Sequence, residues 1–380
     1  MKILLVSDQP THPTTAGNRR FILSQVELFR SMGHEVHFLF VDGMYTSDAD
    51  YNLMKDYWGD SVTRYDTDFF YKIKLKLSSK LRKFFHKTHY KCDTIYPSGL
   101  TAFVEKLQGT HKFDACITNY YYMTKFFEKV NFPLKAVTTH DYFAYKDLLI
   151  GAKKAWMLTT ADEEAKGLQR CPHIFALNTE EAIYFSKISP CSQVYSVFSY
   201  YEYKPTTIAG NKNLLFLSGS NEYNHNGLKW FLNNIFPSIV KRDPEVKLII
   251  GGGICNILKD LQDNPHIKLY GLVENIDHFY SLGDVVINPT YQGTGLKIKT
   301  FESISFDKVT MVHPHSMVGI YAADRAPIFA SLNPNEWVDF LSKIWSTPKN
   351  ISDIKSSNQA YMLSMQNFVR AEYTRFFSSK

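Results

Sequence analysis

Short apolar runs separated by amphipathic stretches recur along this chain in two sets. That alternation constrains the fold more than any single motif does. Lys2–Val6, Glu35–Val41, Asp114–Thr118, Lys135–Thr139 and Pro172–Leu177 each read as a buried strand. The stretch from Gly17 to Met32, closed by Gly33 and His34, has a helical period. Near-continuous apolar strands alternating with helices predict a doubly wound parallel sheet in an α/β fold.

The pattern is interrupted between Tyr200 and Asn213, where Pro205, Gly210 and two asparagines make a polar connector. A second set then begins. Strands are expected at Leu214–Leu217, Val246–Gly251, Ile267–Leu269, Val285–Asn288 and Thr310–Val312, and helices at Asn226–Lys241, Asn275–Leu282 and Lys297–Phe306. Further helices are expected over Glu336–Ile344 and Ser357–Phe377. Two Rossmann-like domains follow, residues 1–205 and 206–356, with an interdomain cleft at the strand ends as the expected ligand site. The length of 380 residues suits two domains of about 150–200 residues each.

A 44% hydrophobic content lets both halves build a core, and a formal net charge of +6 is too mild for a dedicated nucleic-acid binder. Cys92, Cys116, Cys171, Cys191 and Cys255 are dispersed and odd in number, which suits thiols in a reducing compartment. The first apolar run is too short for a secretory signal, and no run approaches the ~18 residues of a membrane span. The expectation is a cytoplasmic protein, peripheral at most at the inner face of a membrane.

One stretch carries the chemistry most plainly. Asp284-Val-Val-Ile-Asn-Pro289 is a strand, and Gly293-Thr-Gly-Leu-Lys-Ile-Lys-Thr-Phe-Glu302 turns from it into a helix. A glycine-rich turn at a helix start gathers backbone N–H groups at the positive end of the helix dipole, which suits an anion. Lys297 and Lys299 are expected in the first helical turn, adding mobile positive charge. Glu302 lies three residues beyond Lys299 on the same face. A carboxylate is a poor phosphate ligand but a good ligand for a sugar diol. The set reads as a site for a ribose bearing a diphosphate.

Other stretches are less specific. The first loop, Ser7 to Asn18, lacks the GxGxxG fingerprint, which argues against an NAD-dependent oxidoreductase; Gly17 in it permits close backbone approach. His140 follows a strand in Thr138-Thr-His-Asp141 and can bond a substrate hydroxyl, while Asp141 beside it can orient the loop. Ser218 to Gly227 forms a second polar loop before a helix. Asn119-Tyr-Tyr-Tyr-Met123 is either a sugar-stacking wall or ordinary packing. Residues 72–91 hold eight lysines or arginines and no acid, interleaved with apolar residues; they suit an anionic membrane surface or a solvated helix face.

Across most of its length the chain resembles the retaining glycosyltransferases of the GT-B fold, glycosyltransferase family 4-like (group 1). The resemblance is carried most strongly by Ile267 to Pro289 continuing through Gly293 to Ser303, then by Phe216–Ser220 with Asn226–Phe231, and by Asp162–Arg170 with Ala176–Glu181. It implies that Glu302 binds the nucleotide ribose and that Lys297 and Lys299 lie near the donor diphosphate. Gly293, Thr294, Gly295 and Leu296 would meet the donor through their backbone, with Ser220 nearby, and Leu272 and Val273 would lie near the base. In the first domain, His140 would lie near the reacting sugar, and Gly17 with Asn18 would meet donor or acceptor. The last helix, about 357–380, would pack back on the first domain.

Two departures from the family pattern stand out. The first acid of its two-acid motif is absent, Thr294 standing eight residues before Glu302 and Gln292 lying nearest its usual setting. The Arg/Lys pair after the second domain's first strand is also missing, its place taken by Ser220 and the Asn224–Asn226 region.

The implied activity is transfer of a sugar, with retention, from a nucleotide-diphosphate-sugar to a glycan or polyprenyl-diphosphate-linked acceptor in bacterial surface polysaccharide assembly. The nucleotide sugar is a co-substrate, and no resident cofactor or metal is expected. Two other activities fit a similar site: a nucleotide-sugar 2-epimerase-type enzyme, and a non-catalytic nucleotide- or sugar-binding partner of a transferase complex.

Overall fold

The computed structural model describes residues 1–14, 17–43, 48–68, 70–73, 75–77, 89–146 and 157–379. The chain divides into two compact units, one formed by Met1–Tyr200 with Val369–Lys380 and the other by Tyr201–Phe368. Of the basic segment 72–91, residues 74 and 78–88 lie outside the described residues.

The first unit is built on seven parallel strands: β1 (Lys2–Ser7), β2 (Glu35–Asp42), β3 (Val62–Asp66), β4 (Ala115–Asn119), β5 (Leu134–Thr138), β6 (His173–Ala176) and β7 (Gln193–Ser196). Their spatial order is β3-β2-β1-β4-β5-β6-β7. β1 is central, with Ile3, Leu4, Leu5 and Val6 fully buried, so its sequence is apolar without alternation. The helices start where side chains supply the missing acceptors. Thr160 caps Ala161–Leu168 by accepting from the Glu163 N–H, and Asn178 caps Thr179–Ile188 by accepting from the Glu181 N–H.

The second unit holds six parallel strands: β8 (Asn213–Leu217), β9 (Lys247–Gly251), β10 (Ile267–Gly271), β11 (Val285–Asn288), β12 (Val309–Val312) and β13 (Ile328–Ala330). Their order is β10-β9-β8-β11-β12-β13. Leu214, Phe216, Leu248, Ile250, Val285 and Ile287 point into one core with Trp337.

The helix expected over Asn226–Lys241 is two helices, Glu222–Asn234 and Phe236–Arg242. Asn221 caps the first by accepting from the Asn224 N–H, which sets its start earlier than the apolar period suggests. Pro237 sits in the first turn of the second helix, where its missing N–H costs nothing. The final helix runs from Pro348 to Phe377 and so belongs to both units. Among the described residues, no helix is long and apolar enough to cross a membrane.

Candidate functional site

In an open parallel sheet, a ligand crevice opens at the carboxyl ends of two adjacent strands whose connections leave in opposite directions. The second unit has that switch point between β8 and β11. Ser218, Gly219 and Ser220 follow β8, and Gly293 to Glu302 follow β11, so the two polar loops singled out in the sequence meet at one place.

Lys299 joins them. Its Nζ donates to Ser218 Oγ at 3.1 Å and to Asn224 Oδ1 at 2.6 Å, and it lies 5.2 Å from the centre of the Phe216 ring. Burial, with the neighbouring Lys297 charge, pushes the Lys299 ammonium down to about 7. Both hydrogen-bond partners of Lys299 are neutral hydroxyl or amide groups. An anion arriving there would stabilise the ammonium form.

Lys297 behaves differently from the expectation of mobile charge in the first helical turn. The helix is Ile298–Ser305, and Lys297 is its cap residue. Its Nζ folds back onto the turn before it, donating to the carbonyls of Gly293 at 3.2 Å and Gly295 at 3.1 Å, with Thr294 at 3.5 Å. His315, after β12, donates from Nε2 to the Gly293 carbonyl at 3.0 Å. Gly293 and Gly295 have φ of +95° and +75°, conformations that a residue with a Cβ rarely adopts. The loop is therefore fastened by its carbonyl side. Lys299 is the lysine placed between the two loops.

Glu302 is 4% exposed, and its Oε1 accepts from the Tyr280 hydroxyl at 2.8 Å. Gln292 Oε1 accepts from Asn226 at 3.2 Å, a second tie between the two loops. Leu296 is half-buried in the same turn. Ser220 is exposed, and the hydroxyl that reaches Lys299 is that of Ser218. Leu272 is 71% exposed just after β10, the edge strand beyond β9, with the half-buried Val273 next to it.

Gly227 explains why the helix Glu222–Asn234 can lie against the end of β11. A Cβ there would stand 2.8 Å from the Pro289 carbonyl oxygen and from Thr290 Cα.

The first unit has its own switch point between β1 and β4. His140 follows β5, the next strand along. Its φ is +64°, a strained conformation for a residue with a side chain. The Asn119 amide donates to the Val6 carbonyl at 3.1 Å, so its oxygen accepts from His140 Nε2, at 2.6 Å. This fixes the neutral tautomer with Nδ1 as the acceptor nitrogen. The ring stacks on Tyr120, with centroids 4.6 Å apart, and meets the edge of Phe21. Burial pushes it down to about 3, so His140 is a neutral hydrogen-bonding group throughout the physiological range.

Asp141 Oδ2 pairs with the buried Lys146 at 2.7 Å, an ion pair that holds the loop after β5. Gly17 is the exposed first residue of the helix Gly17–Ser31. Asn18 donates to Gln9 Oε1 at 3.2 Å and to the Tyr120 hydroxyl at 3.1 Å. The aromatic run is packing rather than a wall, since Tyr120, Tyr121, Tyr122 and Met123 are all buried.

The sequence singles out the loop Ser218–Gly227 but not Ser218 and Asn224 within it as the partners of Lys299, and it does not mark Tyr280 or His315. Their contacts are tertiary. The available signal was that Ser218 is the first residue after a buried strand.

The two all-parallel sheets and the loops at the β8/β11 switch point define a class: a two-domain Rossmann-like α/β protein of GT-B type. Residues 211–346 match the family model of glycosyl transferases group 1. The chain is 24% identical to an uncharacterized 44.6 kDa protein in the cps region of Klebsiella pneumoniae, over 93% of this chain and 92% of that one. Among solved structures, a point variant of S. aureus TarM in complex with fondaparinux, alpha-GlcNAc-glycerol and UDP superposes with a TM-score of 0.68 at 10% identity, covering 100% of both chains. Anabaena Alr3699/HepE in complex with UDP superposes with a TM-score of 0.64 at 12% identity, covering 100% of both. Residues 211–346 of the second unit thus match a group 1 glycosyltransferase domain, and the chain as a whole has the GT-B fold.

Proposed function

We propose that the protein transfers a sugar, with retention, from a nucleotide-diphosphate-sugar to a hydroxyl of a glycan or polyprenyl-diphosphate-linked acceptor in surface polysaccharide assembly. The observation that carries this reading is Lys299, a half-buried cation held between the β8 and β11 loops by neutral hydrogen-bond partners. The UDP complexes of TarM and HepE and the cps-region relative support the same reading.

In this proposal the donor diphosphate lies over the start of the helix Ile298–Ser305. Lys299 and the turn's N–H groups stabilise the charge that develops as the bond from the sugar C1 to phosphate breaks. The acceptor oxygen forms the new bond to C1 on the same face, and its proton passes to the departing diphosphate. Glu302, positioned by Tyr280, takes the ribose hydroxyls. Leu272 and Val273 lie near the base. His140, as a neutral group, binds a sugar hydroxyl and does not carry the proton.

Calorimetry with UDP and GDP tests the donor half. Lys299→Ala and Glu302→Ala should each weaken the preferred nucleotide about tenfold or more, the loss of a charge-assisted contact of ~1.5–3 kcal/mol. His140→Ala should lose turnover with little change in nucleotide affinity. Unchanged nucleotide affinity in both unit-two variants would remove the site.

The basic segment supports an acceptor presented at an anionic membrane. Phe70 just before it and Leu77 within it are 80% and 57% exposed, with Lys72 and Lys76 among its described residues. Replacing Lys72, Lys76, Lys80 and Lys83 by glutamate should abolish sedimentation with phosphatidylglycerol vesicles. Retained sedimentation would make the segment a solvated face.

A further inference from the structure

The first unit's own switch point holds a polar cluster in which Asp8, Gln9 and Tyr122 have no part in the proposed donor chemistry. Asp8 is the residue immediately after β1. Its Oδ2 accepts from the Tyr122 hydroxyl at 3.0 Å, and its Oδ1 accepts from the Gln9 amide at 3.3 Å. Gln9 Oε1 in turn accepts from Asn18, whose amide also reaches the Tyr120 hydroxyl. Tyr120 carries the stacked His140 ring. Asp8, Tyr120 and His140 therefore stand at the ends of β1, β4 and β5, three neighbouring strands.

Asp8 and Gln9 are only partly buried, so the cluster is within reach of a ligand. We propose that Asp8 is the specificity-determining residue of a second saccharide subsite, one that accepts hydroxyls of an uncharged sugar and turns away anionic groups.

Three observations support this. The hydrogen-bond donors already on the carboxylate, Tyr122 and Gln9, are neutral, and among the described residues no lysine or arginine forms an ion pair with Asp8. A carboxylate in such surroundings repels phosphate or carboxylate and takes hydrogen bonds from hydroxyls. Burial pushes the Asp8 carboxyl up to about 6, with Tyr122 and Gln9 opposing the rise; the phenols that feel its charge are Tyr71, Tyr120 and Tyr122, and of these Tyr120 also feels the Asp141 carboxylate. Lastly, the hydrogen-bonded chain Asp8–Gln9–Asn18–Tyr120, with the His140 ring stacked on Tyr120, contains both donor and acceptor side chains, as a polyhydroxyl ligand requires. The proposal rests on the glycosyltransferase reading for its meaning, since the subsite would hold the sugar that receives the transferred group.

The test uses the full chain and saturation-transfer NMR with methyl glycosides of glucose, galactose and N-acetylglucosamine, alongside glucose 6-phosphate, with UDP binding followed in parallel by calorimetry. Wild type should show a signal from at least one methyl glycoside and none from the phosphate. Asp8→Ala should lose that signal by tenfold or more while its UDP affinity and melting temperature stay within error. Asp8→Asn, which keeps the shape and removes the charge, should bind the glycoside and gain binding of the phosphate. A glycoside signal unaltered in Asp8→Ala, no wild-type signal with any glycoside, or unaltered phosphate exclusion in Asp8→Asn would each overturn the proposal. Failure of wild type to bind any nucleotide would instead count against the donor reading.

Discussion

Lys299 shows how burial prepares a residue for one kind of partner. Its ordinary value of 10.5 falls to about 7 in the folded chain. The folded protein therefore holds fewer protons on this residue than the unfolded chain does between about pH 7 and 10.5. Its contribution to stability rises with pH across that window and is lowest below pH 7, where the ammonium is half-buried beside Lys297. A diphosphate reverses the preference by favouring the charged form. At pH 8, binding of UDP should therefore take up a proton, seen as a dependence of calorimetric heat on the ionisation enthalpy of the buffer. At pH 6 the uptake should vanish, and Lys299→Ala should show none at either pH. Buffer-independent heats in wild type at pH 8 would show that this lysine does not meet the phosphate. The residue itself was legible in the sequence from its place after Gly293-Thr-Gly295. Its altered chemistry was not, because Ser218 and Asn224 come from a loop and helix far away along the chain.

At the scale of elements, the buried strands announced themselves. β1, β9 and β11 are enclosed on both faces and spell continuous apolar runs. β3, Val-Thr-Arg-Tyr-Asp, did not, because it is an edge strand without a fully buried residue, where Arg64 pairs with Asp42 and Asp66. The helix Glu222–Asn234 depends on a feature that is also silent in sequence, the missing side chain at Gly227. Gly227→Ala should force the helix away from Pro289 and Thr290, destabilising the protein by ~1–3 kcal/mol, the range for overpacking, and weakening UDP binding as Asn224 moves off Lys299. Gly109→Ala is the contrasting case. It lies in the helix Leu100–His111, with nothing within 4 Å of an added Cβ, and should raise stability by ~0.5–1 kcal/mol. Thermal melts of the two variants compare them directly; equal shifts of the same sign would contradict the packing account.

For the molecule as a whole, the two-domain plan was legible from the repeated alternation and the polar connector. The chain's return to the first unit was indicated only by family resemblance, and no local signal marks the place along the helix Pro348–Phe377 where its packing passes from one core to the other. That place has a consequence for the order of assembly. Tyr373, Phe376 and Phe377 complete the first unit by packing on Phe29 and Phe175, and Gln25 donates to the Tyr373 hydroxyl. Domains generally fold as they leave the ribosome, the amino-terminal one first. Here the unit that is synthesised first lacks its last piece until Val369–Lys380 emerges, whereas Tyr201–Phe368 is whole before that segment is made. A chain ending at Phe368 should keep UDP-dependent protection of the second unit from proteolysis, while the first is cut rapidly. Equal protection of both would deny the terminal residues that part. The half that leaves the ribosome first thus waits on residues made after the second half is whole, and a chain cut at Phe368 leaves that first half open.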